Sequence, residues 1–519
     1  MEIHSRMCVA KSDVPASVPR VVLLSPLDLF HTSQMPIILF YENAPAGAAA
    51  RIESGLATVL DHYPELAGRI GRDELGRHCI HLNNEGAIFV EAVCSSELAP
   101  FLDKRGNDVK DLVGSSTLEL GDGMNRVPLI IQVTRFACGG LALSWEGHHR
   151  VCDGSAHAQF LLNWASAART GSLTPGFVPL IHDRYFLFPR NPPVVEDPLV
   201  KFIHKQMSRT TVPGQEVLTL TANLTSKQIS HLKSLCGNKY TTYETLSAHF
   251  WRCMTAARDF EDRSTLVGHF CPANGRSILN APSGFFGNAI YLTFVQTSAA
   301  DLLDGSLEHA AGLIRQGVKR ASNRVFLESV IDYLALEQAS EDAQPPQAEA
   351  KDQSWIPNVM IPCWSKFPLY EVDFGFGNPF RFSTVNMGIE GAFTIGPPRK
   401  DGITEVLINV RKEHAQSLVT HLGNSLGSAL PAAAMVSLTM ISHLKRNSRE
   451  ENVVVKPACQ LGPSKTKIEN VHVTVVLPVR NHVEEPPIVK DLYAVAIRMI
   501  KQAKTVALEV KKPGYETIC

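Results

Sequence analysis

The stretch from Leu141 to Gly154, LALSWEGHHRVCDG, constrains the fold of this chain more than any other part of the sequence. Its apolar residues alternate up to Trp145, a pattern typical of a half-buried strand. Residues 155–169 then carry apolar side chains at the spacing of a helix face. The side chains on that face are Phe160, Leu161, Trp164 and Ala168. The pattern predicts a strand, a turn that holds two histidines, and a helix.

His149 is a candidate general base because a rigid strand delivers its imidazole to a turn whose edge can face a cleft. Asp153 follows four residues later, and Gly154 allows a tight backbone path. Neutral His149 could take a proton from a hydroxyl or amine that attacks a carbonyl. The pattern alone also fits a structural histidine. A metal site with His148, His149 and Asp153 lacks the Cys/His spacing and the fourth ligand of a zinc site, so no metal is expected.

A second stretch, SKFPLYEVDFGFGNP from Ser365 to Pro379, carries a further motif. HHRVCDG and DFGFG, in this order, resemble the plant BAHD acyl-CoA-dependent acyltransferases. Three more segments resemble that family, and the resemblance extends over about residues 20–445. These segments are DHYPELAGRIGRD (Asp61 to Asp73), YTTYETLSAHFWRC (Tyr240 to Cys253) and NGRSILNAPSGFFGNAI (Asn274 to Ile290).

The resemblance implies an α/β fold of two similar domains of the chloramphenicol acetyltransferase type, with the active site in a channel between them. We expect an N-terminal domain over residues 1–174 and a proline-rich, extended crossover over 175–215. A C-terminal domain over 216–450 would follow. Residues 451–519 would form an extension of unknown role, packed or disordered, although its lysines and arginines also permit weak attachment to a membrane surface or a partner.

The resemblance also implies roles for individual residues. His149 matches the family's general base, and the acceptor would attack the thioester of acyl-CoA directly in a ternary complex. Asp153, followed by Gly154, matches a structural aspartate that points away from the substrate and pairs with an arginine of the second half. Arg276 matches that arginine. Acyl-CoA is then a co-substrate, and no cofactor is expected.

The DFGFG motif, Asp373, Phe374, Gly375, Phe376 and Gly377, matches a family motif that lies away from the histidine. In the family it holds the loop that shapes the CoA side of the channel. The usual pattern has tryptophan where this chain has Phe376. The change keeps an aromatic ring but loses an indole N–H donor.

Substrate-binding residues are less clearly marked. The resemblance places Thr241 and Thr242 near the pantetheine or diphosphate of CoA, whereas the residue pattern alone also fits an N-cap threonine. Trp364 matches a tryptophan that borders the acceptor pocket. PLIHDRYFLFPRNPP resembles the hydroxycinnamoyltransferase branch, which favours a hydroxycinnamoyl donor.

The acceptor stays open at the level of sequence. Pro362 stands where shikimate-using members have threonine, and their acceptor-binding arginine has no counterpart between Gln338 and Ser354. The most direct reason for a carboxylate-bearing acceptor is therefore absent. An uncharged alcohol, a long-chain hydroxyl compound or a polyamine is compatible with the sequence. A polyamine would need acidic pocket residues, for which Glu146 and Glu371 are candidates.

Composition favours a soluble enzyme. The 519 residues are 45% hydrophobic and 19% charged with a formal net charge of −1, so electrostatic binding to nucleic acid or an anionic membrane is not expected. Eleven cysteines without a CxxC pair favour a reducing compartment. The sequence shows neither a signal peptide nor a run of about 18 apolar residues, so we expect a cytoplasmic protein. The family resemblance implies a monomer.

Apolar patterning predicts further elements along the chain. Val21 to Phe40 is expected to be strand, polar loop and strand, and residues 343–352 an exposed loop. His249 is expected to be a packed core histidine rather than a second base. The other predicted strands are 87–92, 127–136, 216–224, 356–361, 405–410 and 471–477, and the helices are 49–62, 226–236, 242–258 and 414–422.

Two other functions are compatible with parts of the sequence. A condensation domain of a peptide synthetase shares an HHxxxDG motif, but this chain has DFGFG and no carrier or adenylation module. A catalytically silent relative that acts as a partner of acyl-chain enzymes would not need His149 and Asp153. The two motifs together favour acyl transfer.

Overall fold

The computed structural model describes residues 2–13, 18–31, 34–102, 106–118, 126–207, 210–211, 216–340, 353–385, 389–426, 455–460, 470–476 and 506–511. Its contacts divide the chain into two compact units, residues 1–418 and 419–519. The domain boundaries expected from the sequence stay predictions.

Strands and helices alternate along the described chain. The strands up to residue 411 are β1 (Glu2–Cys8), β2 (Val21–Leu23), β3 (Gln34–Tyr41), β4 (Arg69–Arg72), β5 (His78–His81), β6 (Ala87–Cys94), β7 (Leu129–Phe136), β8 (Leu141–His148), β9 (Thr210–Thr211), β10 (Val217–Leu224), β11 (Leu266–Asn274), β12 (Ile290–Ser298), β13 (Gln353–Ser354), β14 (Val359–Met360), β15 (Arg381–Thr384), β16 (Ile389–Glu390), β17 (Phe393–Pro398) and β18 (Thr404–Arg411). The helices are α1 (Pro26–Leu29), α2 (Ala48–Leu60), α3 (Ala99–Leu102), α4 (Gly114–Leu118), α5 (Gly154–Thr170), α6 (Leu199–Gln206), α7 (Ser226–Leu235), α8 (Thr242–Arg258), α9 (Ala299–Asp304), α10 (Leu307–Ala321), α11 (Arg324–Ala339) and α12 (Lys412–Ser425).

The first half of the first unit is built on a six-stranded mixed sheet in the order β1-β6-β7-β8-β3-β15. Strand β8 is central and pairs antiparallel with β7 and β3. All of its residues are buried, so the prediction of a half-buried strand was wrong. Helices α2 and α5 pack over one face of the sheet, and residues 109–113 cover the other. The alternation of apolar residues along one strand cannot reveal that the second face of the sheet is also covered.

The main three-stranded sheets of the second half are β10-β18-β17 and β12-β11-β14, and the short strands β16, β13 and β9 form another. Isolated parallel bridges, Met360 to Ala392 and Cys363 to Ile395, link the two main sheets. Helices α8 and α10 pack on each other, and α10 also contacts β12. This half therefore combines sheets with packed helices, as the first half does.

Helix ends follow the local sequence. Asp153 caps the start of α5, and Gly171 ends it in the left-handed conformation at φ 77°. Thr241 and Glu244 form a capping box at the start of α8. Helix α8 has the predicted bounds. Helix α12 was expected to stop before Gly423 but continues to Ser425, because a single glycine lowers helix propensity without breaking a helix.

Several predicted elements differ in detail. The loop between β2 and β3 contains α1, closed by a capping box of Ser25 and Asp28. The crossover is not extended throughout, since α6 forms in its proline-free part. The strand expected at 356–361 shortens to Val359–Met360, and Pro357 supplies no ladder donor. The loop expected at 343–352 lies outside the described residues.

The second unit contains a three-stranded sheet of β19 (Val455–Gln460), β20 (Asn470–Val476) and β21 (Val506–Lys511). Strand β20 pairs antiparallel with β19 and parallel with β21. The strand predicted at 471–477 is confirmed within one residue. Among the helices of the described chain, none combines the length and the apolar character that a membrane crossing requires.

Candidate active site

His149 lies in the turn between β8 and α5 and lines a cavity of about 1130 Å³. Backbone bonds fix the turn, with Val151 N donating to His148 O at 2.8 Å. The cavity wall comes from both halves of the first unit, and Trp364 and Asn274 line it from the second half. The imidazole therefore lies in a channel between the halves.

Asn288, just before β12, fixes the tautomer of His149. Its side-chain Nδ2 donates to the backbone oxygen of His149 at 2.6 Å, so its Oδ1 must be the atom that lies 3.0 Å from His149 Nδ1. An amide oxygen only accepts, so Nδ1 of His149 carries the proton. The other ring nitrogen, Nε2, is left with its lone pair, as a general base requires.

Asp28 and Arg184 hold Asn288 in place. Asp28 Oδ1 accepts from Asn288 Nδ2 at 2.9 Å and from its backbone N at 3.2 Å. Asp28 Oδ2 lies 2.7 Å from Arg184 Nη1, and both side chains are buried. A buried ion pair of this kind gives the amide one orientation, which in turn orients His149.

A second histidine stacks on the first. The rings of His31 and His149 are 3.8 Å apart with an interplanar angle of 14°. Burial lowers the pKa of His149 and outweighs the opposite effect of Asp153. Burial and then the charge of His149 hold the pKa of His31 well below 6.5. Both rings are therefore neutral near pH 7.

Asp153 points away from the cavity and joins the two halves. Its carboxylate accepts from Arg276 Nη1 at 2.6 Å and from Nη2 at 3.0 Å. It also accepts from the backbone N–H groups of Ser155, Ala156 and Ala289. One carboxylate thus caps α5 and binds both the Arg276 side chain and the chain entering β12.

Gly154 begins α5 against an aromatic ring. A Cβ atom at this position would lie 2.6 Å from the ring of Phe367, which lines the cavity. A side chain here would force the ring of Phe367 to move. The close approach explains why glycine follows Asp153.

The DFGFG motif forms a turn below α2 and α5, and none of its residues lines the cavity wall. Asp373 Oδ1 accepts from Gly375 N at 2.7 Å and from Gly377 N at 3.0 Å. Both glycines have positive φ, 94° and 101°. Phe374 is buried against Trp164 at 5.0 Å between ring centroids. The side chain of Asp373 thus closes the turn, and Phe374 anchors it in the apolar core of the first sheet.

Phe376 is partly buried and packs on Tyr41, with ring centroids 5.2 Å apart. The hydroxyl of Tyr41 donates to Val372 O at 2.8 Å. Arg51 and Arg169 donate to backbone oxygens of the same turn. Phe376 therefore contributes an aromatic contact that packs this turn on Tyr41.

The structure places Thr241 as the N-cap of α8, where its hydroxyl accepts from Glu244 N at 3.2 Å. The side chains of Thr241 and Thr242 are exposed. Neither residue lines the cavity that holds His149. A contact of either with CoA stays a prediction.

The acidic residues considered for a cationic acceptor do not line the channel. Glu146 is buried, accepts from Ser115 N at 3.0 Å, and has its pKa raised to about 7 by burial. Glu371 is exposed in the turn before the DFGFG motif. His249 is buried between Phe250 and Cys253 in the core, as predicted. Over the described ranges, no group of three or more His, Cys, Asp and Glu side chains could hold a metal ion.

Four residues of the site were missed at the level of sequence. His31 and Asp28 lie in SPLDLFHTSQMP, a segment treated as a polar loop. Asn288 and Arg184 lie within segments that resemble the family but were given no role. The four residues share no local pattern that marks a buried and bonded side chain, so their role is recognisable only after the fold is known.

Comparisons with known proteins agree with this architecture. The family model described as "Transferase family" matches residues 3–423. Anthranilate N-benzoyltransferase protein 3 of Dianthus caryophyllus is 32% identical over 387 residues, which cover 71% of this chain and 84% of that protein. Agmatine hydroxycinnamoyltransferase 1 of Oryza sativa subsp. japonica is 32% identical over 406 residues, covering 73% and 88%.

Among solved structures, that of F. graminearum TRI101 complexed with coenzyme A and T-2 mycotoxin has a TM-score of 0.64. It is 17% identical and covers 77% of this chain and 97% of its own. The likeness confirms the expected mixed α/β fold.

Proposed function

This chain belongs to the BAHD Transferase family and is an acyl-CoA-dependent acyltransferase, and on that premise we propose that it transfers a hydroxycinnamoyl-type aromatic acyl group to a hydroxyl or amine acceptor. His149 is the general base. The observation that carries this proposal is the fixed tautomer of His149, whose Nδ1 lies 3.0 Å from Asn288 Oδ1 at the wall of a channel.

The reaction begins with the acceptor. Nε2 of His149 takes the proton of the acceptor O–H or N–H as its oxygen or nitrogen attacks the thioester carbonyl carbon. Base catalysis of this kind contributes roughly 10²- to 10⁴-fold. Burial lowers the pKa of His149, so the base is unprotonated at neutral pH.

The tetrahedral intermediate then loses CoA. The C–S bond breaks, and protonated His149 returns its proton to the departing thiolate. Asn288 stabilises the imidazolium while it exists, because its Oδ1 keeps accepting from Nδ1. The acyl group thus passes directly from sulfur to the acceptor, and His149 ends in its starting state.

An acyl-enzyme is not required by this geometry. Cys152, next to the aspartate of the motif, is buried, and burial raises the pKa of its thiol well above 9. A thiol in that state is a poor nucleophile. Cys363 lines the channel and is the residue to replace in order to test covalent catalysis.

Aromatic residues of the wall support an aromatic acyl donor. Channel-lining rings include Phe30, Trp145, Tyr333, Trp355, Trp364 and Phe367. Flat aromatic groups pack well on such surfaces. The two relatives are named for benzoyl and hydroxycinnamoyl transfer to amines, anthranilate and agmatine, which supports testing amine acceptors beside alcohols.

Thiol release by the purified full chain tests the proposal. Benzoyl-CoA and p-coumaroyl-CoA would be paired with anthranilate, agmatine, tryptamine, spermidine, shikimate, quinate and aliphatic alcohols. His149→Ala should abolish turnover, and Cys363→Ala should retain it. His231→Ala is the matched control, because His231 is exposed on α7.

Three outcomes would count against parts of the proposal. Full activity of His149→Ala would exclude it as the base. Loss of activity in folded Cys363→Ala, with acyl label retained by the wild-type protein, would favour a covalent route. Folded protein that binds CoA but turns over no pair would instead favour a catalytically silent partner of acyl-chain enzymes.

A further inference from the structure

Three basic side chains meet on the wall that the first half contributes to the channel. Arg72 ends β4, His78 begins β5, and Arg150 follows His149 directly in the turn. All three line the cavity that holds His149. None of the three was assigned a role from the sequence.

The two guanidinium groups have few protein partners. Arg150 Nε donates to His31 O at 2.9 Å, and Arg72 Nη1 donates to Gly76 O at 2.6 Å. Over the described ranges, no ion pair within 4.0 Å involves Arg72, His78 or Arg150. In the described part of the chain, the remaining N–H groups of the two guanidinium groups therefore have no carboxylate within 4.0 Å.

Two arginines near Arg72 in the sequence do form ion pairs. Arg69 on the same hairpin pairs with Glu85 at 2.9 Å, and Arg77 pairs with Asp73 at 2.8 Å. Glu337 of α11 also lines the channel, but it forms no ion pair with the basic cluster in the described part. The β4–β5 segment thus pairs Arg69 and Arg77, whereas Arg72, which lines the channel, has no ion pair in the described part of the chain.

The three groups are close enough to repel one another. Burial lowers the pKa of Arg150, and the charge of Arg72 lowers it further. Burial and then the charges of Arg72 and Arg150 lower the pKa of His78. Clustered positive charge in a partly desolvated site is relieved when an anion binds.

We propose that Arg72, His78 and Arg150 form an anion subsite of the channel, which binds the carboxylate or phosphate group of a substrate next to His149. The inference rests on the proposed function, since it concerns the same channel. Arginine suits such a group because its N–H pairs can bind two oxygens at once. A carboxylate-bearing acceptor is thereby compatible with this chain, although the sequence between Gln338 and Ser354 has no counterpart of the acceptor-binding arginine of shikimate-using members.

Direct binding tests the subsite without turnover. Benzoate and its neutral counterpart benzamide probe a carboxylate, whereas CoA and 3′-dephospho-CoA probe a phosphate. Each would be titrated into the full chain and into Arg72→Gln, Arg150→Gln and Arg150→Lys. Arg77→Gln is the matched control, because Arg77 lies on the same hairpin and pairs with Asp73 outside the channel.

We expect benzoate to bind the wild type more tightly than benzamide. Arg72→Gln and Arg150→Gln should each lower the affinity for benzoate about 10- to 100-fold. Arg150→Lys should recover part of the loss, and Arg77→Gln should change nothing. A rising salt concentration should lower the affinity for benzoate and leave the affinity for benzamide unchanged. Arg72→Gln guards against a folding defect, since Arg72 is exposed and makes no bond to the buried turn.

The outcomes separate the two sources and the two proposals. Loss of CoA affinity in both glutamine variants, smaller for 3′-dephospho-CoA, would assign the subsite to the donor phosphate. Benzoate that binds no more tightly than benzamide, together with unchanged CoA affinity, would overturn the subsite. His149→Ala that binds benzoate normally but does not turn over leaves both proposals standing. Anion discrimination without any turnover would retain the subsite and reject the proposed function.

Discussion

Replacing Asp153 by alanine should destabilise the first unit markedly. The carboxylate is fully buried and accepts five bonds, two of them from Arg276. Removing one partner of a buried ion pair costs about 3–5 kcal/mol. Losing a helix N-cap costs about 1 kcal/mol, but the same oxygen atoms serve both roles, so the two figures do not add.

For Asp153→Ala, we expect a loss of stability at the lower end of the range for a broken buried ion pair. The Arg276 side chain is 22% exposed, so water can reach part of its guanidinium. It also keeps a bond to Gly287 O at 3.0 Å and a contact with the ring of Phe285. We therefore expect the free energy of unfolding to fall by about 3 kcal/mol, and turnover to fall because the turn that carries His149 loses its anchor.

Urea unfolding of the wild type, Asp153→Ala, Arg276→Met and the double variant measures the effect. The double variant should lose less than the sum of the single losses, with a coupling of about 1–3 kcal/mol. Asp304→Ala is the control, because the Asp304–Arg263 pair has the same chemistry but is 67% and 53% exposed and should contribute below about 1 kcal/mol. A change within about 0.5 kcal/mol for Asp153→Ala, or strictly additive losses, would refute the reasoning.

Three further predictions concern the base and the DFGFG turn. Protonation inactivates a general base, so kcat/KM should fall as pH drops through the pKa of His149, which burial places below 6.5; a midpoint above 6.5 in the pH profile of the free enzyme would contradict this. Asn288→Ala should lower kcat more than it raises KM, since the tautomer of His149 is no longer fixed, whereas a pure KM effect would argue for a role in binding. Gly375→Ala and Gly377→Ala should each destabilise by about 1–3 kcal/mol in urea unfolding because both have φ near 100°, and Gly375→Ala should also displace the flexible end of the Arg51 side chain, whose Nη1 would lie 2.5 Å from the new Cβ.

Sequence patterns were sufficient for elements whose signals are local. The apolar spacing after Thr241 predicted the bounds of α8, and the motif predicted the strand, turn and helix around His149. The pairing of Asp153 with Arg276 was expected from resemblance, and the structure brings the two side chains together.

Long-range relations were beyond those patterns. The chain from Arg184 through Asp28 and Asn288 to His149 joins four segments whose separations carry no periodic signal. The stacking of His31 on His149 likewise depends on where a short helix places a loop. Burial of β8 on both faces depends on a cover provided by another part of the chain. Such features follow from packing rather than from local composition.

The edge strand β15 has a consequence for how this protein can be made. Residues Arg381–Thr384 pair antiparallel with Ile37–Phe40 and so complete the first sheet with a segment from far along the chain. During synthesis, β3 stays an unpaired edge of the first sheet until residue 384 has left the ribosome. A fragment ending at residue 174 would leave that edge unpaired, with free backbone donors and acceptors available to other chains. The two halves should therefore not be obtainable as separate soluble pieces, and ribosomal pausing between them should favour aggregation.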